Sequence, residues 1–241
     1  MKGRPEDITI DDYFPVYSHT PAFAKPSVDG GWWLPLIEKV YAKANVNYEM
    51  LTTGSQSEAG QFLTGAPSKD FKSNQEGTDQ TWIRLTEALQ NNYLVTAACF
   101  IDNNGLVGGN GYIIKSFLKT SGERLLRVKN PWKTIGDPTY KDSSHGDWTG
   151  KYSSQDRSNW PEELRAEGNK LGKGEFYMTV DDFRDGFKYY TITYMHDGWN
   201  NSFIEKRSSV NKRLYKFNFT ISEGDYVAVD HYNLEDAFFE T

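Results

Sequence analysis

Two strand-forming segments joined by a polar turn constrain the fold more than any other feature of this chain. Residues 112–117 and 123–128 are rich in β-branched and other apolar residues, and Lys119-Thr-Ser-Gly122 separates them. Runs of this composition on either side of a short Gly-containing turn predict an antiparallel β-hairpin. We therefore expect an antiparallel sheet built around this hairpin.

Other elements follow from the spacing of apolar residues. Residues 32–43 have the helical repeat, with one apolar face and charges opposite. That face carries Trp33, Leu36, Ile37, Val40 and Tyr41. A second helix is predicted from Thr81 to Asn91. Residues 8–16, 93–101 and 189–194 are predicted strands.

Two motifs flank the hairpin. Gly105-Leu-Val-Gly-Gly-Asn110-Gly-Tyr-Ile-Ile114 leads into it, and Arg127-Val-Lys-Asn130-Pro-Trp132 follows it. Together they resemble the second half of the catalytic core of calpain-type, papain-like cysteine proteases. In that family a Gly-His-Ala-Tyr segment carries the general base. A later Arg-Asn-Pro-Trp-Gly segment carries the asparagine that orients this base, and its tryptophan covers the pair. The resemblance places Asn110 at the histidine position, with Asn130 and Trp132 at the other two.

The resemblance extends over residues 7–197 and implies the fold. Trp32–Lys43, Tyr48–Glu58 and Gly174–Phe183 each resemble a segment of the same family, in the same order. The implied fold class is α+β, with antiparallel β-sheets flanked by a few helices. Residues 198–241 are then a short β-rich C-terminal extension, the start or a remnant of a β-sandwich, because they are too few for a whole one.

The catalytic positions predict an inactive form of the family. A thiol protease needs an imidazole that titrates near neutrality, and an asparagine amide has no usable pKa in that range. The chain has one cysteine, Cys99, in an apolar run that is typical of a buried strand. In the family the nucleophile lies in the first half of the core, and we expect this chain to begin after that half.

The resemblance also implies a degraded calcium site. Its ligand positions map to Asp147, Ser154, Lys173 and Glu175, whereas calcium prefers about six to eight oxygen ligands with several carboxylates. No metal and no other cofactor is expected. Lys173 either takes the place of the cation, neutralising Asp147 and Glu175, or points to solvent.

Several other residues have simpler interpretations. The pairs Asp11-Asp12 and Asp181-Asp182 are interpreted as turn or capping residues, with Asp181 or Asp182 as a helix N-cap. His145 lies in a polar insertion, residues 133–146, which is a candidate contact element. His19, His196 and His231 are scattered and lack the spacing of metal ligands.

The amino-acid composition argues against some classes of binding partner. With 27 Lys and Arg against 33 Asp and Glu, the net charge of −6 argues against nucleic-acid binding. A single cysteine favours a reducing compartment, and no apolar run reaches the length of a membrane span. We expect a cytoplasmic protein without membrane insertion.

The expected function is that of a pseudoprotease, a structural or protein-binding subunit of a larger assembly. Inactive calpain-like proteins occur in ciliary and cytoskeletal settings, so the resemblance makes the cytoskeleton or the ciliary axoneme the expected location. Two alternatives remain open. One is a split protease, in which another chain supplies the cysteine half and His145 or a partner's histidine supplies the base. The other is a decoy that regulates an active calpain.

Overall fold

The computed structural model describes residues 7–27, 29–120, 122–131, 147–154 and 157–197, with the single positions 218, 220, 222 and 227. Trp132, His145, His231, the insertion at 133–146 and almost all of the predicted C-terminal extension lie outside the described residues. The chain divides into two compact units. The described part of the first comprises residues 7–27, 29–54 and 61–65 with positions 218, 220, 222 and 227, and that of the second comprises residues 55–60, 66–120, 122–131, 147–154 and 157–197.

The first unit contains a short hairpin and one long helix. Strands β1 (Val16–Tyr17) and β2 (Thr20–Pro21) pair antiparallel. Helix α1 (Trp33–Ala44) confirms the predicted helix, and a 3₁₀ turn follows at Glu49–Thr52. Its predicted apolar face is only partly covered, because Trp33 is 58% exposed while Val40 and Tyr41 are half-buried.

The strand predicted for residues 8–16 is wrong. Only Val16 at its end is in a strand, because side chains satisfy the preceding backbone. The Asp11 carboxylate accepts the Tyr13 N–H at 2.9 Å, and Lys39 Nζ donates to Asp11 O at 2.9 Å. Lys43 Nζ donates to Thr9 O. This segment needs no neighbouring strand, and Asp11 has the turn role predicted for it.

Helix α2 (Gln56–Thr64) leads to a six-stranded antiparallel sheet in the second unit, ordered β3-β8-β4-β5-β6-β7. Its strands are β3 (Ser68–Lys72), β4 (Leu94–Cys99), β5 (Asn110–Lys119), β6 (Arg124–Lys129), β7 (Glu175–Thr179) and β8 (Tyr189–Thr193). The predicted hairpin is confirmed as β5 and β6. Gly122, at φ +109°, allows the turn between them.

The described part of the second unit contains three further helices. They are α3 (Thr78–Gln90), α4 (Glu162–Gly168) and α5 (Val180–Gly186), and single 3₁₀ turns occur at Ser73–Gln75 and Arg157–Asn159. Helices α3 and α5 pack on the sheet through residues such as Leu85 and Phe183. Helix α3 starts three residues earlier than predicted. The observed architecture confirms the α+β prediction.

The N-cap predicted at Asp181 or Asp182 is wrong. Helix α5 is capped by Thr179, whose Oγ1 accepts the Asp182 N–H at 3.0 Å. Thr179 Oγ1 is also 2.7 Å from Asp182 Oδ2, so Asp182 stands at the third helical position. The negative charge of Asp182 in the first turn interacts favourably with the positive end of the helix dipole. The strand continues up to Thr179, which is why the cap falls before the acidic pair.

None of the described helices is long and apolar enough to cross a membrane.

Candidate functional site

Asn110 is the first residue of β5 and lies directly opposite Cys99, the last residue of β4. The loop between these strands is held by hydrogen bonds of its own backbone and of the Asp102 side chain. Gly109 N–H donates to Cys99 O and Gly108 N–H donates to Asp102 Oδ1, each at 2.7 Å. The glycine-rich segment is therefore a tight connection that places Asn110 at the start of β5, between β4 and β6 in the sheet.

Cys99 is buried, as its sequence context predicted, with 1% of its surface exposed. Its Sγ donates to Ile101 O at 3.1 Å. Burial raises the pKa of the thiol, and this outweighs the opposing effect of that hydrogen bond. A thiol that is both inaccessible and protonated is a poor nucleophile.

Asn130 follows β6 and is also buried. Ile113 pairs with Lys129, so Asn130 and Asn110 belong to the same end of the hairpin. The Asn130 N–H donates to Gly174 O at 2.9 Å, which fixes this residue to the turn that precedes β7. The structure thus places Asn110 and Asn130 at the same end of the β5–β6 hairpin.

Gln56 takes part in this region and was missed from the sequence. Its Nε2 donates to Ala97 O at 3.1 Å, and a Cβ on Gly111 would lie 2.7 Å from the same nitrogen. Oε1 of Gln56 is buried without a hydrogen-bond partner among the described residues. The available signal was Gly111 itself, since the family motif has alanine at this position.

The four calcium-site positions differ in their surroundings. Asp147 and Glu175 are buried, Ser154 is half-buried and Lys173 is exposed. Within the described ion pairs, the partners of Glu175 are Lys115 and Arg127, so Lys173 does not neutralise it. No group of three or more acidic, His or Cys side chains among the described residues is arranged to hold a metal ion.

Glu175 is the most strongly bound carboxylate of this region. Its Oε1 accepts Lys115 Nζ at 2.8 Å. Its Oε2 accepts Arg127 Nε at 2.9 Å, Arg127 Nη2, and the Gly172 N–H at 3.0 Å. Burial by itself raises the pKa of Glu175, but the hydrogen bonds from Lys115, Gly172 and Arg127 outweigh it and lower the pKa to about 2.

Neither basic partner of Glu175 was identified from the sequence. Lys115 lies at a β-bulge, where the pairing of β5 with β6 shifts between Ile114 and Ser116. A bulge re-aims a side chain, and period-two patterning does not reveal it. Arg127 is one of three basic residues in β6, with Arg124 and Lys129, so the sequence did not single it out.

The two histidines within the described residues, His19 and His196, are both exposed. The His196 Nδ1 lies 3.4 Å from Asp197 O, and its ring lies 6.4 Å from the Tyr93 ring, centroid to centroid.

Comparison with known proteins identifies the family. The profile of the family described as calpain family cysteine protease matches residues 1–194. The chain belongs to the calpain family. It is 30% identical to human calpain-9 over 200 residues, which are 75% of this chain and 27% of that protein. It is 32% identical to human calpain-12 over 195 residues, 75% of this chain and 25% of that protein.

Rat calpain-9 aligns with more of the chain, with 28% identity over 240 residues, 92% of this chain and 31% of that protein. The chain therefore spans less than a third of the length of these calpain relatives. The match supports the recognition made from the two motifs.

Proposed function

We propose that this chain is a non-catalytic calpain-family domain that acts by binding other proteins, as a structural subunit of a larger assembly. One observation carries the proposal: Asn110, which the motif resemblance places at the family's general-base position, lies directly opposite Cys99, the one cysteine, which is buried. The arrangement lacks both a proton carrier and an accessible thiol.

The chemistry supports the loss of activity. Amide hydrolysis by a thiol protease requires a proton to leave the nucleophile and to reach the leaving amine. The Asn110 amide can donate and accept hydrogen bonds, but it cannot carry this proton near neutral pH. Asn130, which in the family orients the imidazole, has no imidazole to orient at position 110.

Exposed apolar side chains beside this site support a binding role. Phe100 is 56% exposed and Ile101 is 78% exposed, and they directly follow Cys99. The Phe100 ring lies 5.5 Å from that of Tyr189, centroid to centroid, so it is partly fixed in place. Aromatic and apolar residues that are held at a surface are typical of protein contacts.

Catalysis is tested on the purified chain with fluorogenic peptides and a thiol-directed active-site label. We expect no turnover and no difference between the wild type and Cys99→Ala. Cysteine-dependent turnover that Cys99→Ala abolishes would overturn the loss of activity. Turnover that arises only after a second, cysteine-bearing calpain chain is added would favour the split protease instead.

Assembly is tested by measuring the native mass and composition of the complex that carries this chain in its own cells. A stable assembly of structural proteins at a cytoskeletal or ciliary location supports the proposal. A one-to-one complex with a cysteine-bearing calpain that loses activity on binding identifies a decoy. Ile101→Ser should weaken retention in the assembly, whereas Ile83→Ser, at a side chain 54% exposed on α3, is the matched control.

A further inference from the structure

The family's calcium-site positions map to Asp147, Ser154, Lys173 and Glu175, and the surroundings of Glu175 show why these residues do not fit a calcium ion. Glu175 is 4% exposed, and both of its oxygens are occupied by protein donors. A calcium ion takes about six to eight oxygen ligands with their lone pairs directed at it. The lone pairs of Glu175 are instead directed at an ammonium and a guanidinium group.

The charges around Glu175 also disfavour calcium binding. Lys115 and Arg127 bring two positive charges to one carboxylate, so the cluster has a net charge of +1. An added divalent cation would be repelled by both side chains at short range. Lys173, at another of the mapped positions, adds a third positive charge nearby in sequence.

We propose that Lys115 and Arg127 form a cationic clamp on Glu175 that replaces a metal ion and makes the conformation of this region independent of calcium. The clamp comprises Lys115, Arg127 and Glu175. It joins β5, β6 and the start of β7. This inference does not depend on the loss of catalytic activity.

The clamp also fixes the turn that contacts Asn130. Arg127 Nη2 donates to Lys170 O at 2.7 Å as well as to Glu175, and Glu175 accepts the Gly172 N–H. The same turn provides Gly174 O, which accepts the Asn130 N–H. The clamp is therefore the structural support for one of the two asparagines that the motif brings together.

The two basic side chains contribute unequally to the stability of the clamp. Arg127 is the less exposed, with 18% of its side chain accessible against 43% for Lys115, and it makes several hydrogen bonds where Lys115 makes one to the carboxylate. Removing one partner of a buried ion pair leaves an uncompensated charge, whereas water screens a half-exposed pair. We therefore expect Arg127 to contribute more than Lys115 to the free energy of unfolding.

Calcium independence is tested first on the wild-type chain. Its melting temperature is measured in excess calcium chloride and in EGTA, together with calcium titration by calorimetry. The clamp predicts the same melting temperature in both solutions and no binding heat assignable to Glu175. A calcium-dependent rise in melting temperature that Glu175→Gln abolishes would overturn the proposal.

The clamp itself is tested by urea unfolding of Arg127→Met, Lys115→Met and the control Lys119→Met, which removes an exposed lysine from the same strand. We expect the unfolding equilibrium constant to rise on the order of 100-fold for Arg127→Met and on the order of tenfold for Lys115→Met. Lys119→Met should change it by less than about threefold. Equal effects of Lys115→Met and Lys119→Met would refute a clamp.

A double variant covers the case in which Arg127→Met does not fold. Adding Glu175→Gln to Lys115→Met removes the carboxylate that has lost one of its two cationic partners, so the two changes together should cost less than the sum of the separate costs. Strict additivity would mean that Lys115 and Glu175 do not interact and would refute the clamp.

Discussion

Replacing Gly105 by alanine tests the packing that supports the Asn110 loop. Gly105 lies in a tight turn, closed by the reciprocal hydrogen bonds of Asn103 and Leu106 at 3.1 and 2.8 Å, and its φ is +86°. A Cβ at this position would lie 2.0 Å from Asp147 O and 2.8 Å from Thr149 Cγ2. Asp147 O cannot move away without a shift of the backbone to which it belongs.

Gly109 provides a matched control in the same loop. Its φ is +77°, but a Cβ there meets nothing within 4 Å. Gly109→Ala therefore carries only the left-handed backbone strain, about 1–2 kcal/mol. This cost is reduced by about 0.4–1 kcal/mol because alanine restricts the unfolded chain.

Gly105→Ala has the same strain and a steric clash in addition. Overpacking costs about 1–3 kcal/mol. Separating the two segments also stretches the hydrogen bond from Thr149 N–H to Asn104 O, now 2.8 Å, whose net contribution is about 1 kcal/mol. We expect Gly105→Ala to destabilise the chain by about 2–4 kcal/mol more than Gly109→Ala does.

The assay is urea unfolding followed by the summed fluorescence of the seven tryptophans, of which Trp148 is buried next to the contacted segment. A second reading comes from the thermal unfolding midpoint. Equal destabilisation by the two substitutions would show that the close approach of Gly105 to Asp147 is not a feature of the folded protein in solution.

Three further predictions concern the thiol, a helix cap and the base position. In the folded chain Cys99 should react with a thiol reagent at least about tenfold more slowly than in urea at the same pH. Because burial raises the pKa of this thiol, its alkylation should also require a higher pH than that of an ordinary thiol. Equal rates in the folded and unfolded states would contradict this prediction. Thr179→Ala should lower the free energy of unfolding by about 1 kcal/mol, while Thr179→Ser, which keeps the capping hydroxyl, should cost little; urea unfolding distinguishes them. Asn110→His should not produce peptide hydrolysis by the chain alone, because the thiol of Cys99 stays buried; turnover in this variant, measured with fluorogenic peptides, would show that Cys99 can act as the nucleophile.

Local patterns predicted the secondary structure where neighbouring residues decide it. The β5–β6 hairpin depends on two apolar runs and a turn at Gly122, and helix α1 depends on a repeat within twelve residues. Both were predicted from the sequence. The segment at 8–16 alternated like a strand, but its backbone groups are satisfied by Lys39 and Lys43, about thirty residues further along the chain.

The candidate site likewise combines features that neighbouring residues decide with features that depend on residues distant along the chain. The sequence by itself singled out Asn110, Asn130 and Cys99, because their identity and order carry the family resemblance on which the proposed loss of acid–base chemistry rests. Only the tertiary structure decided which groups surround them. The clamp joins Lys115 and Arg127 to Glu175 across 60 and 48 residues, and a bulge directs one of the two cations. Such pairs depend on strand order and register, which residue spacing does not encode, so a carboxylate that resembled a calcium ligand in sequence is held by two basic side chains in the fold.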